Sequence, residues 1–156
     1  MNIERATLDA LDEVARLFDL YRQFYEQPAD LDKARTYISE RLENDESTIY
    51  LATDDAGAGL GFTQLYASFC SVAVAPIWIL YDIYVDAAAR KHGVGTALMN
   101  RAKQLAQETG AARLELQTAI DNITAQAVYE RLGYVRNTQF YGYSLAVNQV
   151  PTAHEP

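Results

Sequence analysis

Apolar and polar residues follow regular spacings along the first third of the chain, and these patterns predict one strand and two helices. Residues 3–6 are typical of a short strand. Apolar side chains then recur at helical spacing over residues 9–25, with acidic residues near the start, until Pro28 interrupts the pattern. A second helical pattern covers residues 30–44. We therefore expect a strand followed by two amphipathic helices.

The middle of the chain has the pattern of extended strands. Residues 47–53 and 60–69 are rich in apolar and β-branched side chains, and residues 54–59 between them hold the Asp and Gly residues of a hairpin turn. Residues 71–76 form a connection or the far end of the second strand. Residues 78–85 are mostly apolar, aromatic and β-branched, which predicts a buried strand.

The buried strand is followed by a basic, glycine-rich loop and then by a helix. The loop reads Arg90-Lys91-His92-Gly93-Val94-Gly95-Thr96, and apolar residues after it recur on one helical face until Gly110. Glycines let the backbone approach a ligand, and the first N–H groups of a helix favour anions. This order of elements predicts a binding site for a phosphate or a pyrophosphate.

Two other interpretations of the loop are open at this point. The first is a nucleotide-binding site, which is weakened because Leu98 stands where a dinucleotide fingerprint has its third glycine. No Gly-Lys-Ser or Gly-Lys-Thr of a P-loop follows either. The second is a structural turn whose Arg and Lys side chains are solvated. The choice among these interpretations depends on the rest of the chain.

The last third of the chain predicts further strands around one short helix. Residues 113–118 alternate like a strand, which a right-handed crossover sets parallel to the buried strand. Residues 123–132 fit a helix with Asp121 or Asn122 as its cap. The segments expected to complete the chain are two last strands, 134–136 and 141–147, and a disordered tail, 148–156.

Length and composition indicate one ordinary globular domain. The chain has 156 residues, of which 49% are hydrophobic, and this is enough for a hydrophobic core. No apolar run reaches the ~20 residues of a membrane span, and the N-terminus does not resemble a signal peptide. We therefore expect a cytoplasmic protein without membrane association. Cys70 is the only cysteine, so we expect neither an internal disulfide nor a metal site.

The charge balance restricts the class of partner. The formal net charge is −8, and no basic stripe interrupts the acidic surface, so we expect no binding of nucleic acid. An acidic surface attracts cations such as amines or basic peptide tails. The alternative is that the charge only keeps the protein soluble.

Two motifs and the order of elements together resemble one known family. Arg90-x-x-Gly93-x-Gly95 resembles the pyrophosphate-binding motif of the GCN5-related N-acetyltransferases, the GNAT family, and Asn122-x-x-Ala125-x-x-x-Tyr129-Glu130-x-x-Gly133-Tyr134 resembles its distal motif. The predicted order β-α-α-β-β-β-α-β-α-β-β is also that of the family. The resemblance implies a mixed α/β fold over residues 1–147. In this fold a central mixed β-sheet of six to seven strands is flanked by about four helices, with parallel strands splayed around the cofactor.

The resemblance implies acetyl-CoA as the cofactor and assigns residues to it. Backbone N–H groups of the loop would hold the pyrophosphate, and the strand at Ile83 to Val85 would pair with the pantetheine arm and polarise the thioester carbonyl. Lys91 and His92 are alternatively solvated loop residues. The residues expected at the cofactor are Ile83, Tyr84, Val85, Arg90, Lys91, His92, Gly93, Val94, Gly95, Thr96, Asn122 and Tyr129.

Three further stretches resemble the branch of the family that includes histone and polyamine acetyltransferases. They are Phe24-Tyr25-x-x-Pro28, Gly61-Phe62-x-Gln64-Leu65-Tyr66 and Trp78-Ile79-Leu80-Tyr81-Asp82. The resemblance is also compatible with a homodimer. Family membership by itself does not fix the acceptor.

Tyr129 is the predicted general acid for the departing sulfur of coenzyme A. A phenol has an ordinary pKa near ~10, so it carries a proton at neutral pH and can donate it to a thiolate. The alternative is that Tyr129 is a core aromatic, because Ala125, Val128 and Leu132 share its helical face. The distal motif favours the catalytic role.

Asp82 is the predicted general base, or the anchor for the ammonium group of the acceptor. It stands in an otherwise apolar strand, where a carboxylate costs free energy unless it has a partner or a use. The alternative is a structural carboxylate paired with a nearby Arg or a backbone N–H. Tyr25, Tyr66 and Glu130 are the other residues expected to line the acceptor side.

Two functions from different classes are consistent with the sequence. The first is an N-acetyltransferase that moves the acetyl group of acetyl-CoA to a primary amine by direct attack, without a covalent enzyme intermediate. Its acceptor would be a small amine, a polyamine or the lysine side chain of a basic peptide. The second is a non-catalytic module that binds acyl-CoA and regulates a partner. Tyr129, Asn122 and Asp82 favour the enzyme.

Overall fold

Five strands and four α-helices make up the fold in a computed structural model that describes residues 1–148. The strands are β1 (Asn2–Arg5), β2 (Thr48–Thr53), β3 (Gly59–Cys70), β4 (Ala75–Val85) and β5 (Leu114–Glu115). The helices are α1 (Leu11–Phe24), α2 (Leu31–Glu43), α3 (Val94–Glu108) and α4 (Ile123–Arg131). The chain forms two compact units, residues 1–117 and residues 118–156. No helix within residues 1–148 is both long and apolar enough to cross a membrane.

The first unit contains a mixed sheet whose strands follow one another in chain order, from β1 to β5. Neighbouring strands are antiparallel except β4 and β5, which are parallel as predicted. The register of β3 and β4 shifts after the pair Gln64 and Asp82, because the next pair is Leu65 and Leu80. Tyr81 is therefore the extra residue of a β-bulge. Bulges redirect side chains and are frequent beside active sites.

Helices cover both faces of this sheet. The main core lies where α1 and α2 pack on one face, with Val14, Leu17, Ile38, Ile49 and Phe62 among its buried side chains. The other face is covered by α3, which packs on β3 and β4 through buried residues such as Val94 and Leu98. Successive residues of β4 therefore face different helices, as the alternation of a strand requires.

Most of the predicted elements are confirmed, and the GNAT fold is among them. Both amphipathic helices, the hairpin strands, α3 and α4 lie where their patterns predicted, and Asn122 rather than Asp121 caps α4. Residues 71–74 are a tight turn, so β4 begins at Ala75 rather than Trp78. The strand predicted at residues 113–118 is paired only at Leu114 and Glu115.

The two last strands are the wrong part of the sequence prediction. Residues 134–136 and 141–147 form no strand, and the sheet has five strands within residues 1–148 rather than six to seven. The alternating pattern needs a neighbouring strand for its N–H and C=O groups, and these segments have none among the described residues. Of the expected disordered tail, 148–156, only Asn148 belongs to the described residues.

Candidate active site

Asp82 lies buried in the sheet, directly opposite Gln64 on β3. Its exposed fraction is 4%, and Gln64 Nε2 donates a hydrogen bond to Asp82 Oδ2 at 2.5 Å. The carbonyl oxygen of the Gln64 side chain accepts a hydrogen bond from the Ser47 hydroxyl at 2.7 Å. Because Ser47 occupies that oxygen, the amide N–H group of Gln64 is the part that faces the carboxylate. Gln64 is thus fixed as a donor to Asp82.

Burial raises the pKa of Asp82 to about 6, while hydrogen bonds from Gln64 and Tyr21 act in the opposite direction. The Tyr21 hydroxyl is itself buried without a hydrogen bond of ordinary geometry to a described residue, but it lies close enough to Asp82 to lower that pKa. A carboxylate with a pKa about 6 is mostly ionised at neutral pH. It is poised to accept a proton within the pH range where enzymes work.

Tyrosine side chains surround this carboxylate. The rings of Tyr21 and Tyr25 meet edge to face at 5.1 Å, and the rings of Tyr66 and Tyr81 do so at 5.6 Å. Burial and the negative charge of Asp82 raise the pKa of Tyr21, Tyr25 and Tyr66, so their hydroxyls stay protonated. We call Asp82, Tyr21, Tyr25 and Tyr66 the tyrosine–aspartate cluster. A carboxylate among aromatic faces is a chemical environment that suits an ammonium group.

The position of Tyr66 in the cluster is fixed from α2. Its hydroxyl shares a hydrogen bond with the Tyr37 hydroxyl, with 2.7 Å between the two oxygens. The Arg41 guanidinium lies over the ring of Tyr37, 4.4 Å from its centroid. The helix that packs on the sheet therefore also orients one wall of the cluster.

The N-terminus of α3 has the geometry of an anion site. Gly93 has a φ of 80°, in the left-handed region that favours glycine, and the helix begins at the next residue. No side chain caps this end, so the first N–H groups of the helix point into the loop. A Cβ added to Gly95 would meet only Val85 Cγ2, at 3.6 Å, so the approach to these N–H groups is open. The loop and helix therefore fit a phosphate group.

Three basic residues stand in front of this helix. Arg90 Nε donates a hydrogen bond to the carbonyl oxygen of Val85 at 3.1 Å, and its guanidinium lies 5.7 Å from the centroid of the Tyr84 ring. Arg90 is therefore held at the end of β4 with its charge near the anion site. Lys91 and His92 are exposed, and Lys91 adopts a φ of 68°. Their placement is consistent both with a phosphate and with solvated side chains.

β4 and β5 pair only over a short length. Trp78 pairs with Leu114 and Ile79 with Glu115, and β4 then continues for six residues without a partner on that side among the described residues. The unpaired edge runs from Leu80 to Val85 and leads toward the anion site. An extended ligand can add to such an edge by backbone hydrogen bonds. This is the splayed arrangement that the family resemblance implies around the cofactor.

An ion-pair network ties the end of β4 to α1. Arg16 contacts Asp86 at 3.1 Å and Glu13 at 3.1 Å, and it also donates to the carbonyl oxygen of Gly59. Asp86 in turn accepts a hydrogen bond from the backbone N–H of Ala88. The Arg16 guanidinium lowers the pKa of Asp86, so this carboxylate stays ionised. The network fixes the point at which the strand turns into the basic loop.

The other predicted site residues belong to the second unit. Asn122 caps α4, because its Oδ1 accepts a hydrogen bond from the Ala125 N–H at 3.2 Å. This structural task leaves the amide N–H group of Asn122 available to a ligand. Tyr129 is half-buried, with its ring centroid 6.0 Å from that of Tyr134, and Glu130 is exposed. Both lie on α4.

Sequence reasoning brought together Asp82, Tyr25 and Tyr66, which share the cluster, but it missed Gln64 and Tyr21 as functional residues. Gln64 has no exposed surface, which is unusual for an amide. Its signal was a lone polar residue among the apolar positions of a predicted strand. Tyr21 belonged to the predicted apolar face of α1, where nothing in the pattern distinguished it from a core aromatic.

Comparisons with known proteins agree with this geometry. The profile of the Acetyltransferase (GNAT) family matches residues 14–134. An uncharacterised N-acetyltransferase of Bacillus subtilis, YhfO, is 43% identical over 147 residues, which are 94% of this chain and 98% of that protein. A probable acetyltransferase of Haemophilus influenzae is 27% identical over 76% of this chain and 82% of its own length. A crystal structure of a probable acetyltransferase is 42% identical, with a TM-score of 0.90 over 96% of this chain and 100% of that one.

The fold and the anion site define an acyltransferase of the mixed α/β class. The chain belongs to the Acetyltransferase (GNAT) family, since the family profile covers most of its length. Acetyl transfer is therefore its class of reaction.

Proposed function

We propose that the protein is an N-acetyltransferase that uses acetyl-CoA to acetylate a primary amine. The observation that carries this proposal is the buried carboxylate of Asp82, held by Gln64 and enclosed by Tyr21, Tyr25 and Tyr66. This cluster offers an ammonium group a counter-charge and aromatic faces. The acceptor is a small amine, a polyamine or the lysine side chain of a basic peptide, as in the branch that the sequence resembles.

The residues divide the work of the reaction among themselves. Acetyl-CoA, when bound, supplies the acetyl thioester. The N–H groups at the start of α3 and the Arg90 guanidinium hold the pyrophosphate, and Ile83 to Val85 present a strand edge to the pantetheine arm. Lys91, His92 and Asn122 stay proposed contacts of the same ligand.

Two proton transfers complete the chemistry. Asp82 accepts a proton from the acceptor ammonium, directly or through water, so that the neutral amine can attack the acetyl carbon. Tyr129 donates its phenolic proton to the departing thiolate, and the hydroxyls of the cluster and Glu130 orient the acceptor. The amine attacks directly, and no covalent enzyme intermediate is needed. The proposed reaction does not require a homodimer, because the tyrosine–aspartate cluster lies within one chain. A cytoplasmic location stays a prediction from the sequence.

The alternative function is a non-catalytic module that binds acyl-CoA. One experiment separates the two: thiol release from acetyl-CoA, measured across a panel of polyamines, amino acids, aminoglycosides and histone-tail peptides. We expect release that depends on at least one cationic acceptor. Binding of acetyl-CoA without release above the buffer rate for any acceptor would favour the binding module.

Binding of acetyl-CoA should raise the melting temperature of the protein. A ligand present at 100 times its Kd stabilises the native state by about 2.7 kcal/mol, which corresponds to about 5–10 °C for a chain of this size. Gly95→Asp should abolish the shift, because it places a negative charge at the phosphate site. Gly95→Ala is the matched control and should keep most of the shift, since its Cβ would meet only Val85. A wild-type melting curve that excess acetyl-CoA does not move would contradict the assignment.

Removing the donor to Asp82 should shift the pH profile of the reaction. In Gln64→Leu the charged form of Asp82 loses a hydrogen bond that lowers its pKa, so the pKa rises further and activity is lost at a higher pH. We expect the acidic limb of kcat/KM, at about pH 6 in the wild type, to move up by about one unit. Ser47→Ala is the control, because it frees the Gln64 carbonyl but keeps the donor, and its shift should be smaller. An acidic limb unchanged in Gln64→Leu means that another group titrates there.

A further inference from the structure

The largest apolar surface in the described chain lies after α4. Residues 135–147, which we call the C-terminal arm, are exposed throughout. Five large apolar side chains of the arm, Phe140, Tyr141, Tyr143, Leu145 and Val147, are 77–94% exposed. Scattered exposed apolar residues are ordinary, but a contiguous run of this kind marks an interaction site.

The arm has the sequence of a strand without the pairing of one. Tyr141, Tyr143, Leu145 and Val147 alternate with Gly142, Ser144 and Ala146, so an extended arm carries its large side chains on one face. No backbone–backbone hydrogen bond joins residues 135–147 to another described residue. Within the arm, the described hydrogen bonds of the backbone are those that Gln139 and Phe140 donate to the Asn137 side chain. The arm therefore presents both an apolar face and unused backbone donors.

The sheet of the first unit ends in a strand that can take a partner. β5 is the last strand of the sheet, and it pairs with β4 at only two residues, Leu114 and Glu115. An edge strand of this kind has unused N–H and C=O groups, which pair readily with a strand from another chain.

We propose that the C-terminal arm adds as a strand to the β5 edge of a second copy of this chain, so that two copies form a symmetric dimer by exchange of their arms. A two-fold axis lets each chain supply an arm and receive one, which satisfies both edges at once. This inference does not depend on the reaction proposed above.

The surface area and the charge of the arm favour a second copy over an unrelated partner. Buried aromatic side chains contribute about 150–250 Å² each, so the three aromatic side chains of each arm alone give about 900–1,500 Å² for two arms. With Leu145 and Val147 added, the total reaches the size of a standard stable interface. Arg136 is the only charged residue of the arm in a chain of net charge −8. Two like-charged copies can therefore meet through their arms with little repulsion.

The test is the mass of the purified full-length chain in solution, measured by light scattering after size exclusion at about 10 µM. We expect twice the mass of one chain. Tyr143→Asp/Leu145→Asp places two carboxylates on the apolar face and should yield a monomer, with Kd raised at least 100-fold. Ser144→Asp is the matched control: it adds the same charge between those positions but on the opposite face, and it should stay dimeric.

A second measurement covers the case in which the double variant does not fold. Hydrogen exchange of the wild type reports whether the backbone N–H groups of residues 140–147 are protected, and the proposed strand pairing requires protection. A monomeric wild type overturns the proposal, since the arm then either folds onto its own chain or awaits a different partner. A dimer with unprotected arm amides, or one that the folded double variant retains, overturns it as well.

Discussion

Asp82→Asn is expected to fold and to lose acetyl transfer by roughly 10²–10⁴ fold, the usual contribution of a positioned acid or base. Asn keeps the shape of the side chain and can still accept the hydrogen bond from Gln64, but it cannot take a proton or offset a cation. The loss should be largest for acceptors that are fully cationic at the assay pH. Steady-state kcat/KM and acceptor KM for a polyamine and for a less basic amine measure both effects.

The same substitution makes a prediction about stability with a definite sign. The pKa of Asp82 is raised in the folded protein to about 6, so its protonated form is favoured by folding. Stability from this group is present below its ordinary pKa of ~3.9 and is lost as the pH rises through about 6. At pH 7 ionised Asp82 thus costs the fold roughly 2–4 kcal/mol. The Asn variant should gain stability relative to the wild type as the pH rises from 4 to 7.

Asp86→Asn is the matched control for both measurements. Asp86 lies at the end of the same strand, but it is paired with Arg16 and its pKa is lowered rather than raised. Its variant should keep turnover within a few fold, because Asn retains the hydrogen bond to the Ala88 N–H. If Asp82→Asn also keeps wild-type turnover and acceptor affinity, Asp82 is structural and the base lies elsewhere.

The parts of the fold that the sequence predicted best depend on neighbouring residues. Helix α2 begins after Asp30, whose side chain accepts a hydrogen bond from the Lys33 N–H, and α3 begins at the glycine that its loop requires. Caps, glycines with positive φ and helical spacing act over a few residues, so one sequence is enough to recognise them. The anion site at α3 is of this kind.

The parts that failed depend on residues far apart in the chain. The pattern of residues 141–147 correctly describes an apolar face, but a strand also needs a neighbour, and no local signal supplies one. The pairing of Gln64 with Asp82 is equally non-local, because it follows from a bulge at Tyr81 that shifts the register by one residue. A pattern in one strand does not reveal such a shift. The donor to Asp82 therefore became visible only in the folded sheet.

Tyr129→Phe separates the two roles that the sequence allows for this residue. Phe keeps the ring and its packing beside Tyr134 and removes only the hydroxyl. If Tyr129 is the general acid, the melting temperature and the affinity for coenzyme A should hold while turnover falls by roughly 10²–10⁴ fold. If it is a packing residue, both stability and rate should stay near those of the wild type.

Tyr134→Phe provides the control for the loss of a tyrosine hydroxyl on the same unit. The Tyr134 hydroxyl is buried without a hydrogen-bond partner among the described residues, and burial raises its pKa to about 12, so its removal should leave the rate within a few fold. Release of the product or a water that relays the proton would mask part of the effect of Tyr129→Phe in steady-state turnover. The deciding measurement is therefore pre-steady-state acetyl transfer, with a threshold of about tenfold, equivalent to about 1.4 kcal/mol. A Tyr129→Phe variant within that limit, with wild-type cofactor affinity, removes Tyr129 from the reaction and leaves it as a packing residue of α4.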